Sequence, residues 1–123
     1  MNLWLLVAAI NGALAVAAGA FGAHGLKARI DADHLQIFET AARYQMYHAL
    51  AMGLSALAAR SGAASTAANA ACGFFLAGII LFSGSLYLLA LTNIRALGIV
   101  TPFGGLAFLA GWIALAWAAT KVV

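Results

Sequence analysis

Charged side chains are scarce in this chain: Asp, Glu, Lys and Arg make up 7% of 123 residues, whereas 66% are hydrophobic. A soluble domain carries roughly 25% charged and about 45–50% apolar residues. A water-soluble protein with this composition would expose large apolar patches and aggregate. With a mean hydropathy of +1.03, the chain is therefore predicted to have the lipid bilayer as its solvent.

Cysteine and carboxylates are also nearly absent. Cys72 is the single cysteine and there are three acidic residues, so an internal disulfide is excluded and no CxxC, HxH or HxxxH spacing occurs. We therefore predict no metal and no cofactor. No GxSxG motif, phosphate-binding loop or pair of carboxylates at membrane depth is present. An enzyme is therefore not expected, although Ser83 and His48 can be pictured as a nucleophile and its base.

What fills the chain instead is a series of long apolar runs. A spanning helix needs about 20 mostly apolar residues, and the runs predict four helices at about residues 3–24, 33–60, 67–91 and 97–120. The predicted fold is all-α: an integral membrane four-helix bundle in one domain, residues 1–123. Its hairpin loops are short, apart from a longer, partly helical loop between the first two helices. Asp33 followed by Gln36 is typical of a capping box and predicts the N-cap of the second helix.

The basic residues are dispersed and number only six, so nucleic acid is not an expected partner. On the predicted layout, four of them lie on the side of the first and third loops: Lys27, Arg29, Arg43 and Arg95. Arg60, Lys121 and the terminal amine lie on the opposite side. The positive-inside rule then places both termini on the periplasmic side of a bacterial inner membrane.

Polar side chains of all four helices are concentrated in the half of the layout near the first and third loops. The residues assigned to this polar half are His24, Arg43, Tyr44, Gln45, His48, Ser83, Ser85, Tyr87 and Thr101. Polar groups at membrane depth are costly unless they face the bundle interior or a wet cavity. Two interpretations remain open: the groups bond to one another and fix helix packing, or they line a small pocket for a ligand, headgroup, ion or proton.

Small residues predict where helices approach closely. Glycine-rich faces let helix backbones come together in a membrane, and a buried amide bonds across helices. The residues predicted to mediate helix packing are Asn11, Gly12, Gly19, Gly22, Gly84, Gly104, Gly105 and Gly111. Gly19, Gly22 and Gly25 follow one another at three-residue spacing, so they lie on one stripe at the end of the first helix, beside His24.

Four segments resemble one family of small membrane proteins. They are GAFGAHGL at 19–26, TAARYQMYHAL at 40–50, FSGSLYLLAL at 82–91 and TPFGGLAFLAGW at 101–112. In this order and over nearly the whole chain they are similar to the domain-of-unknown-function 423 family, which has members in bacterial inner membranes and a eukaryotic relative. The resemblance implies a four-helix inner-membrane protein and implies no activity.

Function is therefore expected at the level of a class. The leading expectation is a binding or scaffold protein that uses the polar half to contact the lipid bilayer, a specific lipid, a second copy or a partner membrane protein. The alternative is a minimal transporter or channel subunit for a proton, metal ion or small polar solute, using His24 and His48. An enzyme ranks third.

Overall fold

The computed structural model describes residues 1–123 and contains only helices and turns, which confirms the predicted all-α class. The α-helices are α1 (Leu3–His24), α2 (Ala32–Ala58), α3 (Ser65–Gly78), α4 (Gly84–Thr92) and α5 (Thr101–Ala119). A π-helical turn, Ile79–Ser83, joins α3 to α4 in one rod, so the chain folds as four helical rods. Short 3-10 segments precede α2, α3 and α5, at Leu26–Ala28, Gly62–Ala64 and Arg95–Ile99.

The helix starts follow local chemistry. Asn2 caps α1, since its side-chain oxygen accepts the Leu5 N–H at 3.0 Å. Asp31 caps α2 by accepting the His34 N–H at 2.8 Å. The prediction that Asp33 is the N-cap was wrong, because Asp33 already lies in the first turn of α2. An acidic residue there still favours the positive end of the helix dipole.

The last rod starts later than the predicted residue 97. Residues Arg95–Ile99 form a 3-10 segment, and α5 begins at Thr101 with Pro102 in its first turn. Proline has no N–H and disfavours helical backbone in the residue before it. The first turn of a helix is the position that tolerates it, because that N–H has no partner there in any case.

The rods are packed as an antiparallel row with α2 in the interior. α2 packs against α1 on one side and against α3 and α4 on the other, and α5 packs against α3 and the π-helical turn. Three segments are long and apolar enough to span a membrane: Leu3–Ala28, Gly62–Thr92 and Arg95–Ala119. α2 is as long but more polar, and it has ten buried residues where α1 and α5 each have four. Its polar side chains Gln45, His48 and Ser55 are therefore covered by protein.

Phenylalanines of one rod fill glycine positions of the next where α3 meets α5. A Cβ on Gly104 would overlap the backbone nitrogen of Phe82, so these two backbones are in direct contact. Farther along, the Phe75 ring occupies the space beside Gly111, at 2.6 Å from such a Cβ. Contacts this close exclude any larger residue at Gly104 or Gly111 without a shift of the helices.

Candidate functional site

Three side chains from three helices form a hydrogen-bonded triad, in which Asn11 and Gln45 are buried and Tyr87 is half-buried. Gln45 of α2 donates its amide to Asn11 of α1 at 3.0 Å, and Tyr87 of α4 donates its hydroxyl to Gln45 at 2.7 Å. Asn11 in turn donates to the carbonyl of Val7 at 3.0 Å. These bonds use one N–H of Gln45 and the proton of Tyr87. One N–H of Gln45 and the remaining lone pairs of the Tyr87 oxygen stay available.

Two grooves open on either side of the Gln45–Tyr87 pair. The α1–α4 groove has a volume of about 590 Å³ and is lined by Leu14, Ala17, Ala18, Phe21, Phe38, Gln45, Tyr87 and Leu91. The π-turn groove has a volume of about 440 Å³ and is lined by Gln45, Ile79, Ile80, Gly84, Ser85, Tyr87, Leu88, Leu97 and Val100. No charged side chain lines either groove. The pair thus offers neutral polar groups between two apolar surfaces.

His48 lies in a separate, closed aromatic cluster. Its Nδ1 bonds to the carbonyl of Tyr44 at 2.7 Å, and the Trp112 indole N–H donates to its Nε2 at 3.1 Å. The ring stacks on Phe108 with centroids 3.5 Å apart and an interplanar angle of 6°. The Nδ1–H donor and Nε2 acceptor describe a neutral imidazole with both nitrogens occupied. His48 therefore has no free nitrogen for a metal, an ion or a proton carrier.

Two serines around the π-helical turn have different environments. The Ser85 hydroxyl lies 2.6 Å from the Thr101 hydroxyl and 3.0 Å from the carbonyl of Phe82, which ties α4 to α5. The Ser83 hydroxyl is fully buried and has no hydrogen-bond partner. Since a buried hydroxyl without a partner is destabilising, Ser83 is a weak point of the core.

The nine residues assigned to the polar half do not form one network. Gln45 and Tyr87 bond with Asn11, Ser85 bonds with Thr101, and His48 bonds with Trp112 and the backbone of Tyr44. His24 and Arg43 are exposed and make no side-chain hydrogen bond or ion pair. His24 and His48 are thus in different environments, and no cluster of three or more His, Cys, Asp or Glu residues is formed.

The glycines predicted to mediate helix packing also differ. Gly22 faces the Phe38 ring of α2, 3.2 Å from a Cβ placed there, and Gly104 and Gly111 face α3 and the π-helical turn. Nothing lies within 4 Å of a Cβ placed on Gly12, Gly19 or Gly105. Gly84 faces only the carbonyl of Ile79 in its own rod, at 3.8 Å. The open glycines leave helix surfaces without a projecting side chain.

A polar pocket that the sequence analysis missed lies where α2 begins and α4 ends. We call it the clasp pocket: it has a volume of about 360 Å³ and is lined by Arg29, Ile30, Asp31, His34, Ala90, Leu91, Thr92 and Asn93. His34 bridges it, with Nδ1 at 2.8 and 2.9 Å from the two Asp31 carboxylate oxygens and Nε2 at 2.9 Å from Asn93 Oδ1. Asn93 has left-handed backbone, with φ of 58°, and ends α4.

Both ring nitrogens of His34 face oxygen acceptors, an arrangement that suits the imidazolium. The hydrogen bond to Asn93 and then the one to Asp31 raise the pKa of His34 above its ordinary value. The backbone N–H and then the side chain of His34 lower the pKa of Asp31. The Asp31-x-x-His34 spacing was a usable sequence signal for this pair, since residues three apart are neighbours on a helix. Nothing local in the sequence indicates Asn93.

Comparison with known sequences places the chain in a family. The profile of the family described as "Protein of unknown function (DUF423)" matches residues 18–105. The chain belongs to this family. It is 48% identical over 121 residues to a UPF0382 membrane protein of Staphylococcus aureus, covering 98% of each chain. It is 45% identical over 121 residues to the UPF0382 membrane protein YwdK of Bacillus subtilis, again covering 98% of each chain.

The profile match confirms the DUF423 resemblance. The relatives and the three long apolar helices identify the chain as a membrane protein with transmembrane helices. No solved structure matches the chain. The inner-membrane location and the periplasmic termini stay predictions.

Proposed function

We propose that this protein is a lipid-binding membrane protein, and that a lipid acyl chain lies in the α1–α4 groove. The observation that carries the proposal is the lining of this groove. Apart from Gln45 and Tyr87, whose polar groups are bonded to each other, only apolar side chains line it.

The direction of the groove supports an acyl chain. Its outer end lies at Phe21 and Phe38, whose ring centroids are 6.2 Å apart, near the loop between α1 and α2. From there the groove continues along α1 to Leu14, about 10 Å farther in. Gln45 bonds to Asn11, so the polar pair meets at this inner end. An acyl chain that enters from the loop side therefore lies against apolar side chains until it reaches the pair.

The chemistry of the lining supports an uncharged chain in the groove. A charge would be costly at membrane depth without a partner, and the groove contains no charged side chain. Its only polar groups, those of Gln45 and Tyr87, already bond to each other and to Asn11. The groove therefore suits a hydrocarbon chain better than a charged solute.

The contacts of the histidines do not favour the alternative of transport through His24 and His48. Both nitrogens of His48 are engaged inside the aromatic cluster. His24 is exposed and is in neither groove. Binding of an acyl chain needs only the apolar groove, whereas a transport path needs polar groups in sequence across the membrane.

The test is to fill the groove. Ala17 and Ala20 are both exposed alanines of α1, but only Ala17 lines the groove. Ala17→Leu and Ala20→Leu are therefore a matched pair of equal apolarity. Bound phospholipid is counted by mass spectrometry of the intact protein released from detergent. We expect Ala17→Leu to lower the bound fraction about threefold or more and Ala20→Leu to leave it unchanged. Equal lipid content in the wild type and both variants would overturn the proposal.

A further inference from the structure

We propose that the clasp pocket binds the phosphodiester of a phospholipid headgroup, through the guanidinium of Arg29 and the side-chain amide of Asn93. This inference rests on the proposed function, because the same lipid would extend its acyl chain into the α1–α4 groove. It adds the identity of the headgroup and the residues that recognise it.

The pocket and the groove are continuous. Leu91 lines both of them, with the polar residues of the clasp pocket on one side and the apolar groove on the other. His34 is in the first turn of α2, and Phe38 of the groove lies one turn farther along the same helix. The order from the loop inward is thus cationic pocket, apolar groove, and then the Gln45–Tyr87 pair at the inner end of the groove. A phospholipid has the same order of phosphate and acyl chain.

The charges of the pocket leave a cation free for an anionic group. The Asp31 carboxylate is paired with His34, at 2.8 Å. Arg29 lines the pocket, and no carboxylate lies within ion-pairing distance of it. With His34 protonated, Arg29 supplies one net positive charge, which matches the single negative charge of a phosphodiester. Guanidinium donors also suit two phosphate oxygens at once.

The orientation of Asn93 supports the same ligand. Its Oδ1 accepts from His34, so the two N–H groups of its amide are left for another acceptor. A neutral His34 that still donates to Asp31 would present a bare Nε2 to Asn93. The amide would then turn over to donate to that nitrogen, and its oxygen would face the pocket. Protonation of His34 thereby sets whether Asn93 offers donors or an acceptor to the phosphate.

The groups that face His34 determine its protonation, and with it the binding of phosphate in the clasp pocket. Asp31 and Asp33 are the charged groups on its own element and both favour the imidazolium. From α4, Thr92 and Asn93 line the pocket and neither is charged. Arg29, from the turn before α2, is the one cation in the lining besides His34. Its charge opposes the imidazolium, and a bound phosphate would offset both.

The experiment measures binding of two lipids with identical acyl chains, phosphatidylglycerol and diacylglycerol, to the full protein in detergent. We expect Arg29→Gln to weaken the binding of phosphatidylglycerol about tenfold and to leave the binding of diacylglycerol unchanged. Arg95→Gln is the matched control, because Arg95 is on the same side but outside the pocket. If Arg29→Gln and Arg95→Gln bind phosphatidylglycerol equally, the headgroup proposal is overturned.

Further arms separate this inference from the proposed function and from a free anion site. If Ala17→Leu weakens the binding of both lipids while Arg29→Gln weakens the binding of neither, the acyl-chain groove is supported and the headgroup site is overturned. Binding of neither lipid by the wild type would overturn both. Soluble glycerol phosphate at millimolar concentration should not compete with the lipid, and effective competition would identify an anion site rather than a lipid site. Binding of phosphatidylglycerol should weaken from about pH 6 to about pH 9 in the wild type but not in His34→Gln.

Discussion

At the scale of single residues, His48 illustrates how a polar side chain is stabilised inside an apolar protein. Its ring stacks on Phe108, and its two nitrogens bond to a backbone carbonyl and to the Trp112 indole. The residue suggested a ligand site in the sequence, yet its contacts are those of a packed core residue. The cost of burying it is offset only while both hydrogen bonds persist.

The hydrogen bond from Trp112 to His48 should therefore contribute measurably to the free energy of unfolding. Trp112→Phe keeps an aromatic ring near Phe75 but leaves His48 Nε2 without a donor. We expect a loss of about 1 to 2 kcal/mol in the free energy of unfolding, measured by denaturant titration in detergent. Trp117→Phe is the control, because Trp117 is exposed and donates no hydrogen bond. An equal effect of both changes would mean that the His48 bond does not stabilise the fold.

For Ser83, in contrast to Trp112, we expect no loss of stability when its polar group is removed. Its hydroxyl is buried without a partner, whereas the Ser85 hydroxyl bonds to Phe82 and Thr101. Ser83→Ala should leave stability unchanged or raise it by about 1 kcal/mol, and Ser85→Ala should lower it by about 1 kcal/mol. Thermal melting of the two variants side by side checks the difference. A marked loss in Ser83→Ala would show that the hydroxyl has a partner, such as a buried water.

At the scale of helices, the interface of α3 and α5 depends on glycine at particular positions. A Cβ on Gly104 would meet the backbone of Phe82, while a Cβ on its neighbour Gly105 would meet nothing within 4 Å. Gly104→Ala should therefore cost about 1 to 3 kcal/mol through overpacking. Gly105→Ala should be neutral or stabilising by up to about 1 kcal/mol, since alanine is the better helix former. Equal melting temperatures for the two variants would contradict this packing.

The helices themselves followed from the sequence because a bilayer demands long apolar segments. The faces by which the helices pack against one another did not follow from the sequence, and the π-helical turn is one reason. It inserts a wider turn between α3 and α4, so side chains on its two sides are not related by the ordinary helical angle. Ser83, Ser85 and Tyr87, at and beyond the end of this turn, were assigned to one polar half by their depth alone, which does not determine the helix face of each side chain. They lie instead in three environments.

The late start of α5 is a second reason. With the helix beginning at Thr101, Trp112 lies about 16 Å along its axis, in the middle of the rod. There it meets His48 of α2. The apolar run that predicted a helix from residue 97 did not reveal this offset. Pairing across helices depends on such offsets, which are set by tertiary packing.

At the scale of the whole molecule, the antiparallel row leaves α1 attached chiefly to α2, with open grooves beside it. The clasp of Asp31, His34 and Asn93 is a polar link between the start of α2 and the end of α4, at the edge of the membrane. It joins segments distant in sequence, so its titration should be visible in the stability of the whole fold.

The direction of that pH dependence follows from the two pKa shifts. The pKa of His34 is raised in the folded protein, so its contribution is complete below its ordinary value of 6.5 and is lost as pH rises through the raised value. The pKa of Asp31 is lowered from 3.8, so its contribution is present above that value and is lost as pH falls through the lowered one. The clasp is therefore strongest in the mildly acidic range between them.

His34→Gln should consequently lower the melting temperature more at about pH 5.5 than at about pH 8.5. Tryptophan fluorescence in detergent at the two pH values measures this difference directly. His24→Gln is the matched control, because His24 is exposed and makes no side-chain hydrogen bond. Its effect should be small and the same at both pH values. If the effect of His34→Gln is also independent of pH, the imidazolium does not hold α2 to α4, and the orientation of Asn93 inferred from it fails as well.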